Sequence, residues 1–160
     1  MADNLTPEQR RKTMQAVKGR KTSLENIVAA AFRERGWRYR RNYASLPGKP
    51  DFVFIGARVV VFVDGDFWHG WRYPQWQHKL SDYWQKKIER NRRRDRYNFR
   101  RLRRLGWKVI RIWGHEVERD RGSAVERVKA LLEASHTQDG DTRHANEGEG
   151  RLRRRRRNAE

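Results

Sequence analysis

The apolar positions of this chain change period several times, and each change marks an element. Pro7 opens a segment Thr6–Lys18 whose apolar points are Met14 and Val17, which predicts a first helix ended by Gly19. Leu24, Val28, Ala31 and Phe32 then recur at helical spacing and predict a second helix over Thr22–Arg35, stopped by Gly36. Trp37–Arg41 alternates aromatic and basic residues as an edge strand does, and Asn42–Pro50, with Pro47, Gly48 and Pro50, reads as a loop. Asp51–Ile55 and Arg58–Val63 read as two strands about a turn at Gly56. The run Val59-Val60-Val61-Phe62-Val63 has no polar face, so it predicts a central strand covered on both sides. Asp64–Lys79 is irregular and aromatic-rich. Leu80–Leu105 is a long helical pattern ended by Gly106, Trp107–Trp113 a further strand and Glu116–Ala134 a last helix. The order α-α-β-β-β-α-β-α predicts an α/β fold, a mixed sheet flanked by helices. Periodicity is lost after Ser135, which predicts a disordered Arg-rich tail over 136–160, a main domain over 21–135 and an N-terminal helix or arm over 1–20.

Charge changes this picture most. The 160 residues carry a net charge of +19, from 39 Lys and Arg against 20 Asp and Glu. Residues 136–160 hold seven Arg and five acids, a net +2, so +17 belongs to residues 1–135 and not to the tail. Such an excess repels itself and is relieved by a polyanion, which points to nucleic acid. An anionic membrane is the weaker partner, because no basic helix carries a broad apolar face. Eighteen aromatic residues, among them 7 Trp, argue for a folded core despite the charge. With no cysteine there is no disulfide framework and no Cys-ligated zinc or iron–sulfur site, and a reducing compartment fits. No apolar run approaches ~20 residues, and the N-terminus lacks the apolar stretch of a signal peptide, so a cytoplasmic location is expected.

The candidate chemistry lies between the predicted strands and on the long helix. Asp51 and Asp64 stand at neighbouring strand ends, where two acids converge on one hard cation, as Mg²⁺-assisted phosphodiester cleavage requires. The alternative is a turn cap and a solvated loop. The long helix has an apolar stripe of Trp84, Ile88, Phe99, Leu102 and Leu105, and Asn91 and Asp95 fall on it while Arg clads the other faces. An inward acid marks either a site or an Asp95–Arg ion pair at the helix edge. His69, beside Asp64 and Asp66, is a candidate general base or a surface histidine. Phe67, Trp68, Trp71 and Trp76 among basic residues suit wedging between bases, or form a satellite apolar cluster. Glu25 completes a capping box with Thr22.

Three separated stretches, Ser45-Leu46-Pro47-Gly48-Lys49-Pro50-Asp51-Phe52-Val53, Val61-Phe62-Val63-Asp64-Gly65-Asp66-Phe67-Trp68-His69 and Leu105-Gly106-Trp107-Lys108-Val109, resemble the very-short-patch-repair (Vsr) DNA mismatch endonucleases. Arg10-Arg11-Lys12-Thr13-Met14 and Glu25 fit the same family, so that the resemblance covers about residues 6–133. It implies a restriction-endonuclease-like αβββαβ core and Mg²⁺-dependent nicking of duplex DNA at T·G mismatches. Asp51 falls on the metal-binding aspartate and Val63 on a residue whose backbone carbonyl completes the metal site, with Asp64 as a further candidate ligand. His69 falls on the general base, Asp95 on a second active-site acid and Glu25 on a supporting acid. Phe67, Trp68 and Trp84 fall on the wedge, and Arg10, Arg11, Lys12 and Met14 on the DNA-contacting N-terminal part. The resemblance also implies a monomer working beside mismatch-repair accessory proteins and a cognate cytosine methyltransferase, in a bacterial cytoplasm at the nucleoid. The family's structural zinc is expected to be missing, since Asp66, Trp71, Tyr73 and Gly114 stand at its ligand positions, leaving packing to hold the loop. Asp64 replaces a family histidine, and Asp66 stands where a restriction-type motif has lysine. Two other readings stay open, a restriction or defence nuclease without mismatch specificity and a non-catalytic nucleic-acid-binding module.

Overall fold

A computed structural model describes the backbone of residues 5–155 and the side chains of residues 5–135. Helix α1 (Pro7–Glu34) opens with a capping box: Thr6 Oγ1 accepts from Gln9 N, and Gln9 Oε1 accepts from Thr6 N. The helix then runs unbroken through Gly19, where the sequence predicts a stop, so residue 20 is no boundary in the backbone. A glycine inside an exposed helix costs about 1 kcal/mol relative to alanine, too little to end a helix whose next turns are anchored in the core. Thr22 Oγ1 donates to Lys18 O, as a mid-helix threonine does, so the expected Thr22–Glu25 capping box does not form. The anchor is Leu24, Val28, Ala29, Ala31 and Phe32, all buried.

Among the described residues four strands form one sheet in the order β1 (Arg40–Arg41), β2 (Phe52–Phe54), β3 (Val59–Asp64), β4 (Lys108–Trp113). The first two pairings are antiparallel and β3–β4 is parallel. All six residues of β3 are buried, as its apolar run predicts. Val59, Val61 and Val63 join the core shared with α1 and α4 (Gly114–Arg155), around Phe32, whose ring lies 5.1–5.6 Å from those of Trp37, Tyr39, Phe52 and Phe54. Val60 and Phe62 face the opposite side, toward Leu102 and Phe99 of α3 (Asp82–Arg104).

The crossover from β3 to β4 holds α2 (Tyr73–Trp76), a 3₁₀ turn at Gln77–Lys79, and α3. On α3 the buried positions are Ile88, Asp95 and Leu102, seven apart, which is one face of a helix. Leu105, placed on that stripe by spacing, is instead 52% exposed, because the helix ends at Arg104 and Gly106 turns the chain with φ +82°. Within α4 the backbone breaks at Asp120, whose carboxylate accepts from Ser123 N and caps the longer, core-packed part. The backbone stays helical to Arg155, where the sequence predicts no regular element; the side chains of the Arg-rich tail lie outside the described residues. Among the described residues no helix is long and apolar enough to cross a membrane.

Candidate active site

Antiparallel pairing sets Phe52 opposite Val61, so Asp51, one residue before β2, lies beside the end of β3. Asp51 Oδ2 accepts a 2.7 Å hydrogen bond from Val63 N, which ties the acid to the residue before Asp64. From α1, Lys21 brings its Nζ to 3.4 Å from Asp51 Oδ1 and 3.9 Å from Asp64 Oδ1. Burial pushes the Asp51 carboxyl up to about 6, with help from Glu25 and Asp64, against the pull of Lys21 and the Val63 N–H. Burial alone would lower the Lys21 ammonium, but the charges of Asp51, Asp64 and Glu25 outweigh it and hold it above its ordinary value. Glu25 stands one helical turn after Lys21, buried, with Arg41 Nη2 3.5 Å from its Oε2. It is therefore a member of this cluster and not a cap.

His69 lies between two carboxylates. Its Nδ1 is 2.7 Å from Asp95 Oδ2 and its Nε2 is 3.2 Å from Asp64 Oδ1. Arg111, from β4, donates through Nε to Asp64 Oδ2 at 2.7 Å and through Nη2 to Asp95 Oδ2. Burial alone would raise the Asp95 carboxyl, but the His69 hydrogen bond and charge, together with Arg111, hold it below its ordinary value. Asp95 thus faces inward, with His69 and Arg111 as its close partners, and the helix-edge pairing that sequence alone leaves open is a distant one, with Arg94 at 3.8 Å.

Asp64, His69 and Asp95 place ligand atoms within 4.8 Å of one another, a cluster of metal-ligating type. Buried carboxylates are what a hard divalent cation takes as donors, and Lys21 already sets a positive charge between Asp51 and Asp64. Asp51 and Asp64, at the edge of the cluster, fit such an ion. Two cavities flank the cluster and share Lys21 and His69, one of about 240 Å³ toward Phe67 and Trp68, the other of about 320 Å³ toward Lys49, Arg94 and Asp95.

The aromatic residues gather beside the first cavity. Phe67 stacks on Trp76 at 5.4 Å, Trp68 meets Trp84 at 5.2 Å, and the Lys87 ammonium lies over Trp68 and Trp84. Phe67 remains 39% exposed, so the cluster presents an edge to solvent. Met14 approaches Lys87, and Arg10 lies over the Tyr83 ring, whereas Arg11 and Lys12 face solvent. Behind the loop, Asp66 pairs with His115, 2.6 Å from Oδ1 to Nδ1, and also accepts from His115 N. The Trp71 ring packs on His115 at 4.7 Å, Trp71 N donates to Asp66 O, and Tyr73 is buried. The partner that reaches this loop from the end of β4 is therefore His115, next to Gly114.

Sequence reading missed two residues. Lys21 carried a signal, one turn before Glu25 on the same face. Arg111 carried a clearer one, a lone charge inside Val109-Ile110-Arg111-Ile112-Trp113.

Comparison with known proteins gives one consistent class, DNA-cutting enzymes. The family model described as DNA mismatch endonuclease Vsr matches residues 2–75. The Type II nicking enzyme V.NmeDIP of Neisseria meningitidis serogroup C is 49% identical over 96 residues, 58% of this chain and 65% of that protein. The Type II nicking enzyme V.XorIIP of Xanthomonas oryzae is 45% identical over 97 residues, 59% of this chain and 71% of that protein. The DNA mismatch endonuclease Vsr of Escherichia coli is 37% identical over 101 residues, 60% of this chain and 63% of that protein. The chain belongs to the Vsr family. It spans less than two thirds of the length of the Neisseria and Escherichia relatives.

Proposed function

We propose that this chain is a Mg²⁺-dependent endonuclease that nicks duplex DNA at T·G mismatches, built on a restriction-endonuclease-type core. The observation that carries the reading is the meeting of Asp51, Asp64, His69 and Asp95 at the ends of β2 and β3, beside an exposed aromatic edge. Membership of the Vsr family supports it.

Asp51, the Val63 carbonyl and Asp64 would hold the ion, which supplies charge stabilisation to the scissile phosphate and a more acidic bound water. Every other role belongs to the chain. His69 takes a proton at Nε2 once that nitrogen turns free of Asp64, and Asp95 holds the ring through Nδ1 while it does so. Lys21 offers an ammonium between the two cavities where an anionic oxygen would lie. Glu25 keeps that ammonium charged. Phe67, Trp68 and Trp84 stack on a base step, which unstacks at lower cost at a mismatch, so a wedge converts weak stacking into selectivity. Arg10, Arg11 and Lys12 meet phosphates, which adds affinity regardless of sequence.

The test is nicking of matched and T·G duplexes side by side, with Mg²⁺ and with chelator. Preferential nicking of the T·G duplex that chelator abolishes is the expected result. Equal cutting of both duplexes would leave a nuclease without mismatch specificity. Binding with no cutting under any divalent ion would leave a nucleic-acid-binding module.

A further inference from the structure

The acid cluster contains two protein cations of different kinds. Lys21 ends in a flexible stem, is 38% exposed, and stands 3.4 Å and 3.9 Å from its acids. Four rotatable bonds and a cavity on either side let it move away. Arg111 has neither freedom. Its guanidinium lies between the rings of Phe99 and Trp113, 4.8 Å and 4.6 Å from their centres, and only a fifth of the side chain is exposed. Its donors engage Asp64 Oδ2 and Asp95 Oδ2, and Nη2 lies 3.3 Å from His69 Nδ1. Its own backbone carbonyl accepts from Arg127, which Glu116 holds in turn. A planar fork held between two rings and two carboxylates is pre-organised and does not leave without breaking all of these contacts.

We propose that Arg111 is the resident cation of the Asp64–His69–Asp95 cluster. Its guanidinium takes the place of a divalent ion there, so the chain keeps a single exchangeable metal position, at Asp51, where the movable Lys21 yields. Arg111 acts through Asp64 and Asp95 and is a positioning residue for His69. The inference rests on the proposed function only in expecting an ion at Asp51.

Mn²⁺ binding to the full chain without DNA, read by calorimetry or electron paramagnetic resonance, tests this. The wild type should bind one Mn²⁺ per chain. Asp51→Asn should lose it and Asp95→Asn should keep it. Arg111→Met, which empties the cluster of its cation, should raise the stoichiometry to two, and Arg111→Lys, which keeps a charge, should hold it at one. Two ions or none in the wild type, or an ion lost in Asp95→Asn and kept in Asp51→Asn, would overturn the proposal. So would a folded Arg111→Met that still binds one. If Arg111→Met does not fold, the Asp51→Asn and Asp95→Asn pair decides alone. A wild type that binds one ion at Asp51 but cuts no duplex would sink the nuclease reading and leave this one standing. A chain that nicks yet binds two ions would do the reverse.

Discussion

The two faces of the sheet are built from the same strands and do different work. On one face β3 and β4 give Val59, Val61, Val63, Ile110 and Ile112 to a continuous apolar core with α1 and α4. On the other, Val60, Phe62 and Leu102 form a smaller cluster, and beyond it Asp64, Arg111 and Asp95 replace apolar side chains altogether. Burying ions in place of hydrocarbon is neutral at best for stability. The second face therefore gains little stability from its charges, and the apolar core of the first supplies most of it. β4 shows the division within six residues, Ile110 and Ile112 turned one way and Arg111 the other.

Substitutions can break this contrast from either side. The largest expected effect is on the apolar face, where Phe32→Ala removes a fully buried ring and should cost about 3–5 kcal/mol, read by denaturant unfolding. On the polar face Asp51→Asn should lower nicking more than about a hundredfold, since charge stabilisation by a metal is worth several kcal/mol. It should leave DNA binding and melting temperature at or above wild type, because a buried carboxylate has been removed. A melting temperature that collapses would place Asp51 with the structural residues. A smaller effect belongs to Phe67→Ala with Trp68→Ala. Base stacking is worth ~1–3 kcal/mol, so the ratio of T·G to matched nicking should fall roughly tenfold with little change in affinity. Lower thermal stability with an unchanged ratio would make these rings a packing cluster and no wedge.

The smallest effect is of pH on stability in metal-free buffer. Folding raises the Asp51 carboxyl from 3.8 to about 6, so the folded chain binds a proton more tightly than the unfolded one within that window. Melting temperature should therefore rise as pH falls from 7 toward 5, and Asp51→Asn should flatten that slope. Asp95 works in the opposite sense: its carboxyl is lowered by folding, so its contribution is present above 3.8 and fades below it. A slope identical in wild type and Asp51→Asn would show that another group sets it.

What could be read from sequence follows the same division. Features encoded by local pattern were readable: the all-apolar β3, the face of α3 that turns Asp95 inward, and the opening of α1 at Pro7. Features encoded by distant contacts were not. Gly19 reads as a stop only until the core anchoring of the next turns is known. Thr22 and Glu25 spell a cap, yet Arg41 and Lys21, from elsewhere in the fold, set the surroundings of Glu25. Arg111 lies 42 residues after His69 and 16 after Asp95, and spacing along a chain cannot show that a parallel strand pairing brings them together.

The unbroken course of α1 makes it a lever. At 1.5 Å per residue its 28 residues extend ~42 Å. The fulcrum is where Leu24 and Val28 enter the core. From Leu24, Lys21 stands ~4.5 Å out and Arg11 ~20 Å out along the same rod. A pull that swings Arg11 by ~2 Å would therefore shift the backbone of Lys21 by about 0.5 Å. Gly19, with no side chain to brace it, is the softest point between them. A displacement at the exposed Arg11–Lys12 end would thus reach the backbone beside Asp51 geared down about fourfold, a coarse motion at one end turned into a fine adjustment at the other.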